Sequence, residues 1–237
     1  MAPLGESLLV VQGFEVDEVS WSSQIMAHSN GEDWKTVFQD WKEFAESAFA
    51  YSMLDAEDVF AYGQSTQRFR DTLTRGEGQQ PALEDAFWRT ICGDFYAHED
   101  RFCNIHKTRS WEKAYQGFLR WCQEHGLSFL GTADAINGSY DRDEVPSVGI
   151  DTAILATTTG RRMFVTRKGL LGLGPSQTVG GEQIVILHGG RVPLLLQSAD
   201  EENEMQKYKL VGDCYVHGIM YGEVMDWNIK EKLFLIV

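Results

Sequence analysis

After residue 160 the chain alternates short β-rich runs with clusters of turn residues, and this pattern constrains its fold more than any other feature. The breaks between the runs read "RKG", "GPSQTVGGE", "HGGR" and "SADEENEMQ". Regular spacing of this kind predicts an antiparallel meander that closes into a small barrel or forms a curved sheet. The runs cover residues 163–167, 170–173, 183–188, 192–197 and 208–218.

A strand-like segment near the start of the chain belongs with these runs. Residues 8–21 read LLVVQGFEVDEVSW, a β-rich composition in which Gly13 suggests a bulge or a bend. We therefore predict that this first strand pairs with the C-terminal strands.

Between the two β segments, the hydrophobic period becomes helical. From Asn30 onward, apolar residues return every three or four positions. Four helices are predicted, and Gly126 stands where a left-handed residue ends the last of them. One face of that last helix is lined by Trp111, Tyr115, Phe118 and Cys122. The first helix begins near Asn30, and the other three cover residues 55–74, 81–97 and 110–125. A surface loop is predicted for residues 131–149.

These elements give an α+β fold class. The prediction is one domain of residues 1–237, with a small antiparallel β-barrel or curved sheet formed by about 8–21 and 160–237. A long helical insertion, at about residues 30–126, packs on one side of the sheet.

Three glycines that follow an apolar run, Gly169, Gly172 and Gly174, raise the possibility of a phosphate-binding loop. Their order is G-x-x-G-x-G, whereas a dinucleotide loop needs G-x-G-x-x-G before a helix. Pro175 and a polar turn follow instead. We predict a hairpin, in which Gly169 takes a positive φ and the other two permit bending or close backbone approach.

Charge and cysteine usage exclude several classes of protein. The net charge of -14 disfavours nucleic-acid binding, and the nearest basic cluster (Arg161, Arg162, Arg167, Lys168) is expected at the ends of a hairpin. Neither a signal peptide nor a bilayer-spanning run is recognisable. The four cysteines form no CxxC pair, so we expect reduced thiols, no metal and a cytoplasmic location.

Six residues are candidates for a functional site. "GDFYAHED" at 93–100 places Asp94 and His98 one helical turn apart, so that Asp94 could orient His98. A solvated helix end is the alternative there, and a core or rim position is the alternative for the histidine of "CYVHG". The predicted catalytic residues are His98, Asp94 and His217, and the predicted substrate-binding residues are Trp88, Tyr96 and Tyr215.

Two stretches resemble a known fungal family. "GRRMFVTRKGLLGLGPSQTVGGEQIVILHGGRVPLLLQ", followed by "YKLVGDCYVHGIMYGE", is similar to the C-terminal module of heterokaryon-incompatibility (HET) proteins. "FWRTICGDFYA" at 87–97 resembles the helical part of that module. Gly181-Glu182 and Gln197 stand where members tend to have Gly-Asp and Arg, and Pro193 is retained. The resemblance implies a module standing alone without the N-terminal HET domain, and it supplies no catalytic residues.

Two functions follow as hypotheses. The primary expectation is a cofactor-independent enzyme that cyclises or isomerises an apolar small molecule in fungal secondary metabolism, for example by a Diels–Alder type pericyclic reaction. A cavity between barrel and helices would shape its substrate. The alternative is a non-enzymatic recognition module that binds a protein partner, which predicts a filled barrel and an exposed apolar patch.

Overall fold

The computed structural model describes residues 8–26, 34–54, 82–98, 101–106, 111–127, 147–202 and 205–237. The chain divides into two compact units. The β unit comprises Met1–Ser23 and Arg162–Val237, and the helical unit comprises Gln24–Arg161. The predicted α+β class is therefore confirmed, whereas the folding of both units as one domain stays a prediction.

Strands and helices follow one another in an order close to the predicted one. A short 3₁₀ helix, Glu223–Asp226, precedes the last strand. The other elements in chain order are β1 (Leu9–Ile25), α1 (Trp34–Leu54), α2 (Ala82–Cys92), β2 (Phe95–His98), β3 (Arg101–Asn104), α3 (Trp111–Glu124), α4 (Ser147–Thr158), β4 (Arg161–Thr166), β5 (Leu171–Pro175), β6 (Gln183–Leu187), β7 (Leu194–Glu202), β8 (Met205–Asp213), β9 (Tyr215–Val216) and β10 (Glu231–Ile236).

Eight of the strands form one sheet, in the order β10-β8-β7-β6-β1-β4-β5-β9. Strand β10 also pairs with β1, so the pairings run in a ring through β1, β6, β7, β8 and β10. The predicted pairing of the first strand with the C-terminal strands is confirmed, whereas the predicted antiparallel arrangement is wrong for β8 and β10, which pair in parallel. The irregularity in β1 lies between Glu15 and Asp17 rather than at Gly13. A Cβ at Gly13 would instead lie 2.9 Å from the Leu187 Cα, which explains the glycine.

Apolar side chains from all five strands of the ring pack against one another. The Tyr208 and Phe234 rings lie 5.6 Å apart, and Val11 of β1 packs against the same cluster. Because residues of a strand alternate between two faces, a cluster that draws on every strand must occupy the inner face of the ring. Its buried members are Val185, Leu187, Leu196, Tyr208 and Phe234.

Aromatic side chains form the core of the helical unit. Phe38 of α1 meets Phe87 of α2 edge to face, and Phe118 stacks on Trp121 within α3. These contacts come from the three- and four-residue spacing that predicts the helices. Gly126 has a φ of 67°, as predicted for the residue that ends α3. The helix predicted for residues 55–74 lies outside the described residues.

Two predictions in the helical unit are wrong. Helix α2 ends at Cys92 rather than near residue 97, because Gly93 and Asp94 take left-handed φ values of 60° and 59° and a β-hairpin follows. Of the loop predicted for 131–149, residues 131–146 lie outside the described residues and Ser147 begins helix α4. The sequence of α4 is apolar on most sides, which conceals a helical period.

Candidate functional site

The glycine-rich segment forms the hairpin of β4 and β5. Gly169 has a φ of 82° and its N–H donates to the Thr166 carbonyl at 3.0 Å. At Gly172, a Cβ would lie 2.6 Å from the Tyr215 carbonyl oxygen and closer still to the Phe164 ring. At Gly174, it would lie 2.8 Å from a Leu195 methyl. The hairpin prediction is confirmed: Gly169 lies in the turn, and Gly172 and Gly174 lie within strand β5 rather than before a helix.

A buried carboxylate on β1 binds the turn of this hairpin. Asp17 accepts hydrogen bonds from the backbone N–H groups of Glu18, at 2.9 Å, and Lys168, at 3.2 Å. Burial raises the pKa of Asp17, whereas the Thr166 hydroxyl and the Lys168 charge oppose that rise. The Lys168 ammonium also donates to the Val16 carbonyl. The side chain is thus a tether between β1 and a turn distant in sequence.

A second buried acid of the β unit, Glu182, ends the segment between β5 and β6. Its carboxylate accepts a hydrogen bond from the Val179 N–H, and burial raises its pKa to about 7. Within the described part of the chain, its Oε2 has no hydrogen-bond partner, and neither has the Thr178 Oγ1 nearby in sequence. Sequence reasoning missed both acids, because a glutamate beside two glycines and an aspartate in an acidic run each indicate a solvated position.

The predicted residues Trp88 and Asp94 belong to one polar network in the helical unit. The buried Trp88 donates its indole N–H to Asp85 at 3.0 Å. Arg89 binds Asp85 at 2.8 Å and the buried Asp94 at 3.0 Å. Such a network satisfies the polar groups around the end of α2. It gives Asp94 a structural partner, Arg89, in place of the predicted one.

His98 and Tyr96 lie on the hairpin that follows α2. His98 is exposed opposite Arg101, and Tyr96 is half-buried opposite Cys103. Burial raises the pKa of Tyr96, and Cys103 raises it further. Because α2 ends at Cys92, the helical spacing that was to join Asp94 to His98 does not exist. The structural premise of that pair is wrong, and the catalytic role of each residue stays a prediction.

The other two predicted residues meet in the β unit. The Tyr215 hydroxyl lies 3.4 Å from His217 Nδ1. The His217 N–H donates to the Leu171 carbonyl at 2.9 Å, which fixes its backbone beside the glycine hairpin. Alternation along the chain puts residues i and i+2 on one face. The two side chains can exchange a hydrogen bond, while Trp88, Asp94, Tyr96 and His98 belong to the helical unit.

A further group of titratable residues in the helical unit carries no predicted role. Tyr115 of α3 donates to the buried Glu84 of α2 at 3.0 Å. Burial raises the pKa of Glu84, and burial together with Glu84 raises those of Tyr115 and Cys122. Burial thus disfavours the charged form of each of the three side chains, and the hydrogen bond joins the two helices. Only the helical stripe of Tyr115 and Cys122 pointed to their burial.

Among the side chains that the structure describes, no three or more His, Cys, Asp or Glu groups stand close enough together to hold a metal ion. No described helix combines the length and apolarity needed to cross a membrane.

Comparison with known protein families identifies the family of this chain. The model of the Het-6 beta-barrel domain matches residues 77–236, which include every element from α2 to β10. The chain belongs to the Het-6 beta-barrel domain family. Strand β1 precedes the matched segment, yet it pairs with β6 and β10 inside it.

One curated relative and the solved structures complete the comparison. Heterokaryon incompatibility protein 6, OR allele, of Neurospora crassa is 32% identical over 77 residues. The aligned segment makes up 32% of this chain and 11% of that protein. No solved structure matches.

Proposed function

We propose that this Het-6 barrel chain is a recognition module that binds a protein partner, in the manner of a heterokaryon-incompatibility protein. The observation that carries the proposal is the packing of the ring. Val185, Leu196, Tyr208 and Phe234 pack together on its inner face, so the chain's own side chains occupy the space inside the ring. A ring filled with its own side chains offers its outer surface for binding.

Exposed aliphatic side chains on β1 and β10 supply a surface for such a partner. Val10 and Leu233 are 54% and 60% exposed, and Leu9 is exposed beside them. In the β1–β10 register, Val11 lies opposite Phe234, and both belong to the core. Alternation therefore directs Val10 and Leu233 outward. We call Val10 and Leu233 the β1–β10 strip.

The net charge of the chain and its similarity to a known protein indicate the kind of partner. The net charge of -14 favours a partner surface that surrounds an apolar centre with basic residues. The name of the Neurospora crassa relative supports a role in heterokaryon incompatibility. The resemblance after residue 160 supports a correspondence to the C-terminal module of such proteins, acting in the cytoplasm.

Affinity capture from a fungal extract tests the proposal. The tagged wild-type chain is compared with Val10→Lys/Leu233→Lys, which charges the strip. Val192→Lys is the matched control, because Val192 is a 40% exposed aliphatic residue elsewhere in the β unit. We expect one stoichiometric protein with the wild type and the control, and its loss with the double variant. Absence of a stoichiometric protein, or equal yield from all three baits, would refute the proposal.

A second candidate function rests on the contact between Tyr215 and His217. A phenol 3.4 Å from an imidazole can donate to and accept from a substrate, which is the minimum for a cofactor-independent cyclase or isomerase. Incubation with polyene or terpenoid substrates should then give products that His217→Gln and Tyr215→Phe abolish. Turnover that persists in both variants, or no turnover by the wild type, would remove this candidate.

A further inference from the structure

The segment that joins β5 to β6, residues 176–182, lies against the backbone of β1. The Val19 N–H donates to the Glu182 carbonyl and the Gly181 N–H donates to the Val19 carbonyl, both at 2.8 Å. The Ser22 hydroxyl donates to the Thr178 carbonyl at 3.0 Å. A Cβ at Gly180 would lie 2.8 Å from the Ser20 carbonyl oxygen. We call these residues the 176–182 segment.

This contact encloses the Glu182 side chain. Only 2% of the residue is exposed, and one hydrogen bond, from the Val179 N–H within the same segment, reaches its carboxylate. Its Oε2 has no partner among the residues that the structure describes. An ionised carboxylate at this position loses its hydrogen bonds to water, and too few protein donors replace them. A neutral carboxyl group fits the site better, consistent with a pKa that burial raises to about 7.

Charged residues next to the segment do not offset that burial. On β1, Asp17 binds the Lys168 N–H and Glu18 binds the Arg167 guanidinium. From β4, Arg162 donates to the Ser176 and Ser23 carbonyls. On β6, Gln183 is the neighbour of Glu182 and lies opposite Glu18. The pKa of Glu182 is set by burial, which raises it, and by the Val179 N–H, which lowers it.

We propose that Glu182 is a pH-sensitive switch of the 176–182 segment. The protonated side chain keeps the segment on β1, and loss of its proton favours a state in which the carboxylate reaches water and the segment leaves β1. The hydrogen bonds from Val19 and Gly181 break in that state. The exposed Val179 side chain moves with the segment, so the change alters a solvent-facing surface.

The direction of the pH dependence follows from the two protonation equilibria. The closed state binds the proton with a pKa of about 7, and the open state has the ordinary value near 4.5. Below both values the opening equilibrium is constant. Between them it rises about tenfold per pH unit, and above both it is constant again. Opening therefore increases as the pH rises from about 4.5 to about 7.

Hydrogen exchange of the Val19 and Gly181 amides, measured by NMR and corrected for intrinsic rates, tests this proposal. We expect their protection factors to fall at least tenfold between about pH 5 and about pH 7.5 and then to level off. Glu182→Gln should give flat profiles, because the amide does not titrate. Asp226→Asn, at an exposed acid of the 3₁₀ helix, should keep the wild-type slope.

Three results would overturn the proposal. The first is a flat wild-type profile, which decides the question even if Glu182→Gln fails to fold. The second is an equal slope in Glu182→Gln. The third is a parallel fall in protection of the His188 amide, which donates to the Gln12 carbonyl in the ring. That fall would mean that the whole β unit opens rather than the segment alone.

Discussion

The Asp17 carboxylate accepts a hydrogen bond from the Lys168 backbone N–H, 3.2 Å away, although 151 positions separate the two residues. Lys168 lies in the turn of the β4–β5 hairpin, within the segment that matches the Het-6 beta-barrel domain. The hairpin is therefore held by β1, which the family match does not include. This relationship predicts that the glycine-rich motif depends on the first strand for its stability.

Removing the Asp17 carboxylate should weaken that attachment. We expect Asp17→Ala to lower the free energy of unfolding by about 2 kcal/mol, because the Lys168 N–H and the Thr166 hydroxyl lose a buried acceptor. Glu18→Gln is the control. Its partner Arg167 is 67% exposed, and we expect a cost of less than about 1 kcal/mol. Urea denaturation measures both, and equal costs would contradict a tethering role for Asp17.

The two glycines of the hairpin should respond differently to alanine. Gly172→Ala forces a Cβ against the Phe164 ring and the Tyr215 carbonyl, so we expect a loss of about 2–3 kcal/mol. Gly169→Ala places a side chain on a residue with a φ of 82°, and we expect this to lower the free energy of unfolding by about 1 kcal/mol. Thermal unfolding of both variants gives the order. A milder effect at position 172 would show that β9 can move away from β5.

Stability should depend on pH through Glu182. Its pKa is raised in the folded state, so the favourable contribution is complete below about pH 4.5 and is lost as the pH rises to about 7. Glu182→Gln does not undergo this loss. Relative to the wild type, it should therefore gain up to roughly 3 kcal/mol between about pH 4.5 and about pH 8.

Urea denaturation at a series of pH values measures this gain. Glu124→Gln, at an exposed acid of α3, is the control and should follow the wild type at every pH. A constant difference between Glu182→Gln and the wild type would show that the Glu182 carboxyl titrates as it does in the unfolded chain.

Arg89 should be a stabilising residue of the helical unit. Arg89→Ala leaves the buried Asp94 without its cation, and we expect a loss of about 3 kcal/mol or more. Arg167→Ala, which removes an exposed partner of Glu18, should cost less than about 1 kcal/mol. The denaturation midpoints of Arg89→Ala and Arg167→Ala measure the two losses of stability. If Arg89→Ala lowers the stability no more than the control does, the network around Asp94 is not structural. The predicted catalytic role of Asp94 then gains support.

Local signals in the sequence sufficed for several features. The roles of Gly126 at the end of α3 and of Gly169 in the hairpin turn were predictable, because each depends on the residue's own positive φ. The residues next to them in sequence are enough to indicate such a conformation. The first strand was recognisable from its composition and pairs as expected. The helical stripe of α3 likewise predicted the burial of Phe118 and Cys122.

Other features depend on contacts that no local pattern contains. Asp17 and Glu182 are buried by strands far from them in sequence, whereas the acidic run around Asp17 and the two glycines before Glu182 each indicated exposure. The end of α2 depends on Asp94 taking a left-handed φ while it binds Arg89, which helical periodicity does not reveal. Of the six predicted site residues, Tyr215 and His217 lie in contact although their pairing was not predicted. The helical argument for Asp94 and His98 is wrong because α2 ends at Cys92.

Photo-crosslinking from the β1–β10 strip tests the recognition proposal most directly. A photoreactive phenylalanine analogue replaces Leu233 in one variant and the exposed Arg191 in a second, and each is irradiated in fungal extract. The proposal predicts one dominant protein adduct from position 233 and none of that mass from position 191. Adducts of equal yield from both positions, or no protein adduct from position 233, would contradict it.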